Sequence, residues 1–373
     1  MRLGVAAALV EGQRVPGDVE IADGRVSRVG CSQPGSGLAV PGFVDLQVNG
    51  FAGVDLLAAD VEAYRVAADA LAATGVTTCL PTFISSPPER LDHALQVFAA
   101  AQSEHASAGH ASAGPAWPRM PGVHLEGPFL SPDFAGAHDP ANVRPPDVAH
   151  VDRLLQAAPV ELMTLAPEQP GGHDLVTHLV GRGVRVSLGH TGADAATAHA
   201  AFDRGAAAVT HLHNAMRRWR SRDPGVSGAA LAREDVTVMV IVDGVHLAEE
   251  TSLVAWRAAR GRFALVSDAI AATALGPGTY PLGDRAVHVD DTSARLDDGT
   301  LAGSVLTMDA AVRNLVGLGA DVASAVHAAT AAPAALLGRT ATLRPGAAAD
   351  IAVLDDRLAV RRTLVAGREA HAA

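Results

Sequence analysis

Eight short apolar runs, separated by longer stretches rich in alanine and leucine, constrain the fold of this chain more than any other feature. Each run is almost continuously apolar, which is typical of parallel strands that are buried on both faces. Eight such strand–helix repeats predict a TIM-type (β/α)8 barrel of the α/β class, with a doubly wound parallel sheet as the alternative. The predicted strands are FVDLQVN, TTCLPTF, GVHLEGP, VELMTLAP, VRVSLGHT, AAVTHLHN, VTVMVIVDG and FALVSDA, and helices are predicted over residues 59–74, 86–104, 172–182, 193–204 and 248–260.

The two flanks of the chain have a different pattern. The segment DVEIADGRVSRVG alternates with a period of two around an Asp-Gly turn, and residues 341–370 resemble it. We therefore predict that residues 1–40 and 341–373 form one small β-sandwich domain, built from both flanks. It would lie beside a barrel domain of residues 41–340.

Composition excludes several functional classes. The 29 basic residues against 40 acidic ones give a net charge of −11, so no nucleic-acid partner is expected. The two cysteines cannot build a disulfide framework, and no run reaches the roughly 18–20 apolar residues of a membrane span. The first residues lack the apolar core of a signal peptide, so we expect a cytoplasmic protein without a membrane partner. The absence of lysine excludes a Schiff-base lysine, a Walker lysine and a carbamylated-lysine metal bridge.

Four of the apolar runs end in a side chain that can bind a metal or move a proton: Glu126, His190, His211 and Asp268. In a TIM-type barrel the carboxyl ends of the strands meet at one rim, where the active site lies. A carboxylate and two imidazoles are the ligand set of a catalytic zinc-type site with one open position. Each residue alone could be structural, but burying so many charged groups together without a metal would be costly. We therefore predict one divalent metal held by Glu126, His190 and His211, with Asp268 as the general acid and base of a hydrolysis.

The first predicted strand argues against a second metal. Many metallohydrolase barrels have a His-x-His pair there, whereas this chain has Gln47 and Asn49. Neutral amides are poor ligands for a zinc-like ion, and no lysine is available to bridge two metals. Histidine and carboxylate ligands favour zinc, with iron, cobalt or manganese as alternatives.

Two further groups of residues are candidates for substrate binding. A histidine such as His246 or His138 could hydrogen-bond the substrate. Arg217, Arg218 and two more arginines, at positions 220 and 222, follow the sixth strand. Arginine forks suit a phosphate or a carboxylate, although a solvated arginine-rich loop explains the same pattern equally well.

At these residues the chain resembles the N-acetylglucosamine-6-phosphate deacetylase family of the amidohydrolase superfamily. The matching motifs, in family order, are PGFVDLQVNGFAGVD (41–55), GVTTCLPTFIS (75–85), GVHLEGPFLSPDFAGAH (122–138), LAPE (165–168), LGHTGA (188–193), THLHNAM (210–216), DGVH (243–246), LVSDA (265–269) and LAGSVLTMDAAVRNLV (301–316). The resemblance implies removal of acetate from N-acetyl-D-glucosamine 6-phosphate to give D-glucosamine 6-phosphate, in amino-sugar catabolism and cell-wall recycling. It also implies a homodimer in which some substrate contacts cross the interface.

The resemblance assigns roles to particular residues. It implies that Glu126, His190 and His211 hold the metal and that Asp268 is the general acid and base. The substrate-binding residues that it implies are Ala137, His138, Asn214, Ala215, Arg222, Asp243, Gly244, Val245, His246, Leu301, Ala302 and Gly303, of which Arg222 matches a phosphate-contacting arginine.

Three features depart from the family pattern. Some relatives carry histidines in place of Gln47 and Asn49 and bind two metals, so this chain resembles the single-metal branch. The run MRRWRSRDPG is unusually rich in arginine. Residues 105–119 match no family motif, and the repeat HASAGHASAG within them predicts a solvated, flexible loop rather than a histidine metal site.

Three alternatives remain open. The substrate could be the galactosamine epimer, since the orientation of one hydroxyl depends on loop geometry. A cyclic-amide hydrolase such as a dihydroorotase is disfavoured, because that class usually needs the first-strand histidines. A non-catalytic, amidohydrolase-like binding protein is disfavoured because all four predicted metal and proton-transfer residues are present.

Overall fold

A closed parallel barrel forms the centre of the molecule. The computed structural model describes residues 1–32, 35–108 and 116–373. Eight parallel strands pair in chain order, and a bridge between Val48 and Ala269 joins the last strand to the first. The barrel strands are Phe43–Val48, Val76–Ile84, Val123–Glu126, Val160–Leu165, Arg185–Leu188, Ala208–Val209, Thr237–Val240 and Phe263–Leu265. The predicted TIM-type barrel is confirmed, and the doubly wound alternative is wrong because the sheet closes.

Helices surround the barrel. The five predicted helices span Val61–Ala73, Pro88–Ala108, Gly172–Gly181, Ala195–Asp203 and Glu249–Ala258. Further helices that the sequence did not single out span Val148–Ala157, Gly225–Leu231, Met308–Gly317, Val322–Ala329 and Ala331–Leu336, and 3-10 turns span Pro132–Phe134 and Pro140–Asn142. The loop prediction for residues 105–114 is wrong over residues 105–108, which extend the second helix, while residues 109–115 lie outside the described residues.

Both flanks of the chain build a separate sheet domain, as predicted. In one six-stranded sheet, the strand order is Gln13–Pro16, Ala7–Val10, Leu38–Pro41, Ile351–Leu354, Val360–Val365 and Arg368–Ala372. A hairpin of Asp18–Ala22 and Arg25–Cys31 shares an apolar cluster with this sheet. Because residues from both flanks fill that cluster, neither flank has a complete core alone. The boundaries at residues 40/41 and 340/341 stay a prediction.

A small insertion after the eighth barrel strand was not predicted. Gly278–Leu282, Arg285–Val289 and Ala294–Arg295 form a three-stranded antiparallel sheet. A second short hairpin, of Gly50–Phe51 and Val54–Asp55, follows the first barrel strand. Both lie at the carboxyl end of the barrel, so they add walls to the rim where the predicted site residues lie. Among the described helices, none is long and apolar enough to cross a membrane.

Candidate active site and metal centre

A cavity of about 280 Å³ opens at the carboxyl ends of the barrel strands. Its volume is close to the lower end of the range of small-molecule sites, roughly 300–1,000 Å³. Glu126, His190, His211 and Asp268 all line it, so the residues that follow four separate apolar runs come together in space.

Glu126, His190 and His211 converge through their ligand atoms. The Glu126 Oε1 atom lies 3.1 Å from His190 Nε2 and 2.9 Å from His211 Nε2, and the two imidazole nitrogens are 3.1 Å apart. All three side chains are buried. Burial alone would raise the pKa of Glu126, but the neighbouring His190 and His211 outweigh it and hold that pKa well below its usual range. A buried carboxylate oxygen facing two imidazole nitrogens is an arrangement that a divalent cation fits.

The tautomer of His190 supports a metal ligand role. Its Nδ1 atom lies 2.9 Å from the carbonyl oxygen of Phe134, which can only accept a hydrogen bond. The proton of the neutral ring is therefore on Nδ1, and the lone pair of Nε2 faces Glu126. The Nδ1 atom of His211 is buried without a hydrogen-bond partner among the described residues, so no protein group fixes the tautomer of that ring.

His138 is a fourth buried group at this centre. Ligand atoms of Glu126, His138 and His190 lie within 4.8 Å of one another, and His138 Nε2 is 3.8 Å from Glu126 Oε2. The backbone N–H of Ser85, however, donates to His138 Nδ1 at 3.2 Å. The proton of the neutral ring must then be on Nε2, which makes His138 a donor towards the cavity and not a metal ligand. Burial, followed by the nearby His190, lowers the pKa of His138 to about 3, so the ring is neutral at pH 7.

Asp268 faces this cluster from the eighth strand. Asn49 Nδ2 donates to Asp268 Oδ1 at 2.7 Å. Burial, followed by the charge of Glu126, raises the pKa of Asp268 well above its usual range. A carboxyl group that readily takes up a proton suits a general acid and base.

The backbone is strained at three of these residues. His190, His211 and Asp268 have left-handed conformations, with φ values of 49°, 29° and 52°. Such conformations are unfavourable for residues other than glycine and cluster at functional sites. Each lies two or three residues after the end of a barrel strand, so the left-handed turn directs the side chain to the cavity just beyond the strand.

Gln47 and Asn49 hydrogen-bond the carboxylates of the site. Gln47 Nε2 donates to Glu126 Oε1 at 3.1 Å, as Asn49 does to Asp268. The oxygen atoms of both amides are buried without a partner among the described residues. The amide groups of Gln47 and Asn49 therefore hold and orient the acidic groups of the site.

Asp243 and His246 form a buried pair on the seventh strand end. Asp243 Oδ2 accepts a hydrogen bond from His246 Nδ1 at 2.7 Å, and Oδ1 accepts the backbone N–H groups of Val245 and His246 at 2.8 Å. Burial alone would raise the pKa of Asp243, but the bond from His246 outweighs it and lowers that pKa. The pair fixes the ring of His246, which lines the cavity.

The structure brings many of the predicted substrate-binding residues to the cavity, and leaves others outside it. Those that line it are Ala137, His138, Asn214, Ala215, His246, Leu301 and Gly303. Asp243 lies behind His246, and Ala302 is buried. Gly244, Val245 and the exposed Arg222 are not part of the lining.

Arg295 lines the cavity and was missed from the sequence. Its guanidinium donates to the carbonyl oxygen of Gly299 at 2.9 Å and to Ser293 Oγ at 3.3 Å. Arg295 ends a two-residue strand in the unpredicted insertion, so no apolar periodicity points to it. Among the arginines after the sixth strand, Arg217 forms an ion pair with Asp223 at 2.8 Å.

Comparisons with known proteins identify the family of this chain. The amidohydrolase family matches residues 38–370 of the chain. N-acetylglucosamine-6-phosphate deacetylase of Homo sapiens is 38% identical over 350 residues, which cover 89% of this chain and 83% of that protein. N-acetylgalactosamine-6-phosphate deacetylase of Escherichia coli O157:H7 is 32% identical over 361 residues, covering 94% of this chain and 93% of that one.

A solved structure matches nearly the whole molecule. It is a variant of N-acetyl-D-glucosamine-6-phosphate deacetylase from Mycobacterium smegmatis in complex with N-acetyl-D-glucosamine-6-phosphate. It superposes with a TM-score of 0.91 at 34% identity and covers 99% of each chain. The similarity therefore includes the small sheet domain as well as the barrel.

Proposed function

The chain belongs to the amidohydrolase family and groups with its N-acetylglucosamine-6-phosphate deacetylases, and from that premise we propose that it hydrolyses N-acetyl-D-glucosamine 6-phosphate to acetate and D-glucosamine 6-phosphate. One observation carries the proposal: a single cavity is lined by the three metal-ligand candidates and by the proton-transfer candidate, Glu126, His190, His211 and Asp268.

Glu126, His190 and His211 would hold one divalent metal ion. When bound, the ion supplies a Lewis acid that activates water and polarises the amide oxygen. Zinc is the metal we propose first, with iron, cobalt or manganese as alternatives for the same nitrogen and oxygen ligands.

Asp268 transfers the protons of the reaction. It takes a proton from the attacking water and delivers it to the amide nitrogen as the carbon–nitrogen bond breaks. Asn49 holds its Oδ1 atom, which leaves Oδ2 for the transfer. Burial raises the pKa of Asp268, which favours the protonated form that must persist between the two transfers.

Other cavity residues bind and orient the substrate. His138 Nε2–H donates to the amide oxygen, where negative charge develops during attack. Asn214, Ala215 and Arg222 bind the sugar phosphate. The sugar ring is contacted by Ala137, by residues 243–246, which the Asp243–His246 pair orders, and by residues 301–303.

We further propose a homodimer located in the cytoplasm. The exposed Arg222 does not line the cavity of its own chain, which fits a contact made across a subunit interface. Both cysteines are free and buried, which fits a reducing compartment.

Acetate release tests the proposal. Metal-loaded and chelator-treated protein are compared on N-acetylglucosamine 6-phosphate, its galactosamine epimer and the unphosphorylated sugar. We expect metal-dependent release that is fastest with the glucosamine phosphate. Protein that binds metal and releases acetate from none of the three would overturn the proposal.

The galactosamine epimer is the second candidate substrate. The observation that favours it is the Escherichia coli O157:H7 relative, which is named for that epimer and is 32% identical over 94% of this chain. A higher kcat/KM for the galactosamine phosphate would select it.

A further inference from the structure

A buried carboxylate that does not line the cavity lies beneath the site. Asp45, on the first barrel strand, is 0% exposed, and no salt bridge joins it to a cation in the described parts of the chain. Burying a carboxylate without a cationic partner is unfavourable for folding. The groups that Asp45 contacts therefore indicate which role offsets this cost.

The hydrogen bonds of Asp45 go to residues next to Asp268. Asp45 Oδ2 accepts the hydroxyl of Ser267 at 2.5 Å, and Oδ1 accepts the backbone N–H groups of Ser267 at 3.2 Å and Gln47 at 3.3 Å. The Ser267 Oγ atom in turn accepts the N–H of Ala269 at 3.2 Å. One carboxylate thus holds the residue before Asp268 and, through a hydroxyl, the residue after it.

Asp268 itself is held by its own backbone groups. Its N–H donates to the carbonyl oxygen of Gln47 at 3.0 Å, and its carbonyl oxygen accepts the N–H of Ser304 at 2.8 Å. The Ser304 hydroxyl also donates to the carbonyl oxygen of Ser267 at 2.6 Å. This support is needed because Asp268 has φ of 52°, and a strained conformation persists only when its surroundings fix it.

We propose that Asp45 is a positioning residue for Asp268: through Ser267 it fixes the left-handed backbone that directs the Asp268 carboxylate into the cavity. The inference rests on the proposed function, in which Asp268 transfers protons. Asp45 contacts neither substrate nor metal, so its effect must pass through the geometry of its neighbour. A proton-transfer group displaced by about 1 Å can lose about 100-fold in rate.

Replacement of the carboxylate by an amide is the main test. In Asp45→Asn, one acceptor oxygen becomes an N–H donor, so either the Ser267 hydroxyl or the backbone N–H groups of Ser267 and Gln47 lose their acceptor on Asp45. A displaced hydroxyl has the carbonyl oxygen of Gln47, at 3.3 Å, as its other acceptor. We expect kcat to fall by about 10- to 100-fold while KM stays within about twofold, since only the proton transfer is misaligned. Metal content, measured on the same samples, should stay at the wild-type level.

Ser267→Ala removes the hydroxyl that donates to Asp45 and leaves the Asp45 carboxylate unchanged. It should lower kcat with the same unchanged KM. The double variant should be no slower than the slower single variant, because both changes break one connection. If Asp45→Asn does not fold, Ser267→Ala alone still decides the proposal.

Asp18→Asn is a matched control. Asp18 is also a buried aspartate, and its Oδ1 accepts the N–H groups of Gly4, Val5 and Val19 in the sheet domain. We expect this variant to unfold at a lower temperature and to keep the wild-type kcat. Equal losses of kcat in Asp18→Asn and Asp45→Asn would overturn the positioning role and assign Asp45 to stability.

The two proposals fail differently. A wild type that releases no acetate contradicts the proposed function. A wild type that is active, with an equally active Asp45→Asn, contradicts only the positioning role. A crystal structure of Asp45→Asn gives a readout that does not need activity: we expect the Asn49–Asp268 hydrogen bond to be broken, and an unmoved Asp268 would overturn the inference.

Discussion

At the scale of single residues, some side chains of the site present a lone pair and others present a hydrogen-bond donor. The tautomer of His190 presents a lone pair to Glu126, whereas that of His138 presents a proton to the cavity. Backbone groups set both, because a carbonyl oxygen contacts one ring and an N–H group the other. His190 and His138 thus have different roles in one cavity, and their backbone hydrogen bonds determine which role each has.

Removal of the proton acceptor tests Asp268 directly. In Asp268→Asn, the amide keeps the size of the side chain but can no longer take up the water proton. We expect metal content and sugar-phosphate binding to persist while kcat falls by about 100-fold or more. Metal analysis, equilibrium binding and steady-state kinetics measure the three quantities. Near-normal turnover would remove Asp268 from the mechanism.

The burial of Asp45 predicts a pH-dependent difference in stability. Burial raises the pKa of Asp45 from 3.8 to about 6, so the folded state binds this proton more tightly than the unfolded state. Its contribution to stability is present below pH 3.8 and is lost as pH rises through 6. Between pH 4 and pH 7, the wild type should lose about 2 kcal/mol of unfolding free energy relative to Asp45→Asn.

Urea unfolding of both proteins in the presence of chelator, at each pH, measures this difference. The chelator keeps metal binding from adding its own pH dependence. Parallel curves for the two proteins would show that Asp45 titrates alike in the folded and unfolded states.

At the scale of elements, the loop after the fourth strand supports the loop after the fifth. Glu168 Oε2 accepts the hydroxyl of Thr191 at 2.5 Å, and Oε1 accepts the N–H of Gly192 at 2.6 Å. These two residues directly follow His190. One carboxylate therefore fixes the turn that carries a metal ligand.

Weakening this contact should weaken metal binding. In Glu168→Gln, only one oxygen remains to accept, so the turn after His190 loosens. We expect the metal Kd to rise by about 10- to 100-fold, as when other partners of metal ligands are removed. Competition with a chelator measures Kd. Glu161→Gln, which breaks an exposed contact with Arg339, is the control and should leave Kd unchanged.

The barrel strands were predicted from the sequence more accurately than the segments inserted after them. The eight strands were found because buried parallel strands are continuous apolar runs, and His190 and Asp268 because they end such runs. The insertion that carries Arg295 was missed since its strands are short and half exposed. The role of Asp45 was missed as well, because its hydrogen-bond partner Ser267 lies 222 residues further along the chain.

At the scale of the whole molecule, Arg222 lies outside the cavity of its own chain. If it contacts the phosphate across a homodimer interface, Arg222→Ala should raise KM chiefly for phosphorylated substrate. The loss would be a few kcal/mol, as for a charge-assisted hydrogen bond. An equal effect on the unphosphorylated sugar would mean that Arg222 does not contact the phosphate.

Mixed dimers locate the contact. Subunits of Arg222→Ala and Asp268→Asn are each impaired, but their heterodimer has one site with an intact Asp268 and an intact Arg222 from the partner. We expect activity to return on mixing. No gain, with heterodimers detected by mass, would place the contact of Arg222 within its own chain.

The sheet domain, which both flanks of the chain build, also determines when the molecule can finish folding. Strand Leu38–Pro41 pairs with Ala7–Val10 on one side and with Ile351–Leu354 on the other. During synthesis, the second partner emerges from the ribosome about 340 residues after the first. Until then the early strands present an open edge, which is prone to aggregation. Completion of this sheet must therefore be among the last events of folding, and a slow translation of the barrel prolongs the exposure of its first strands.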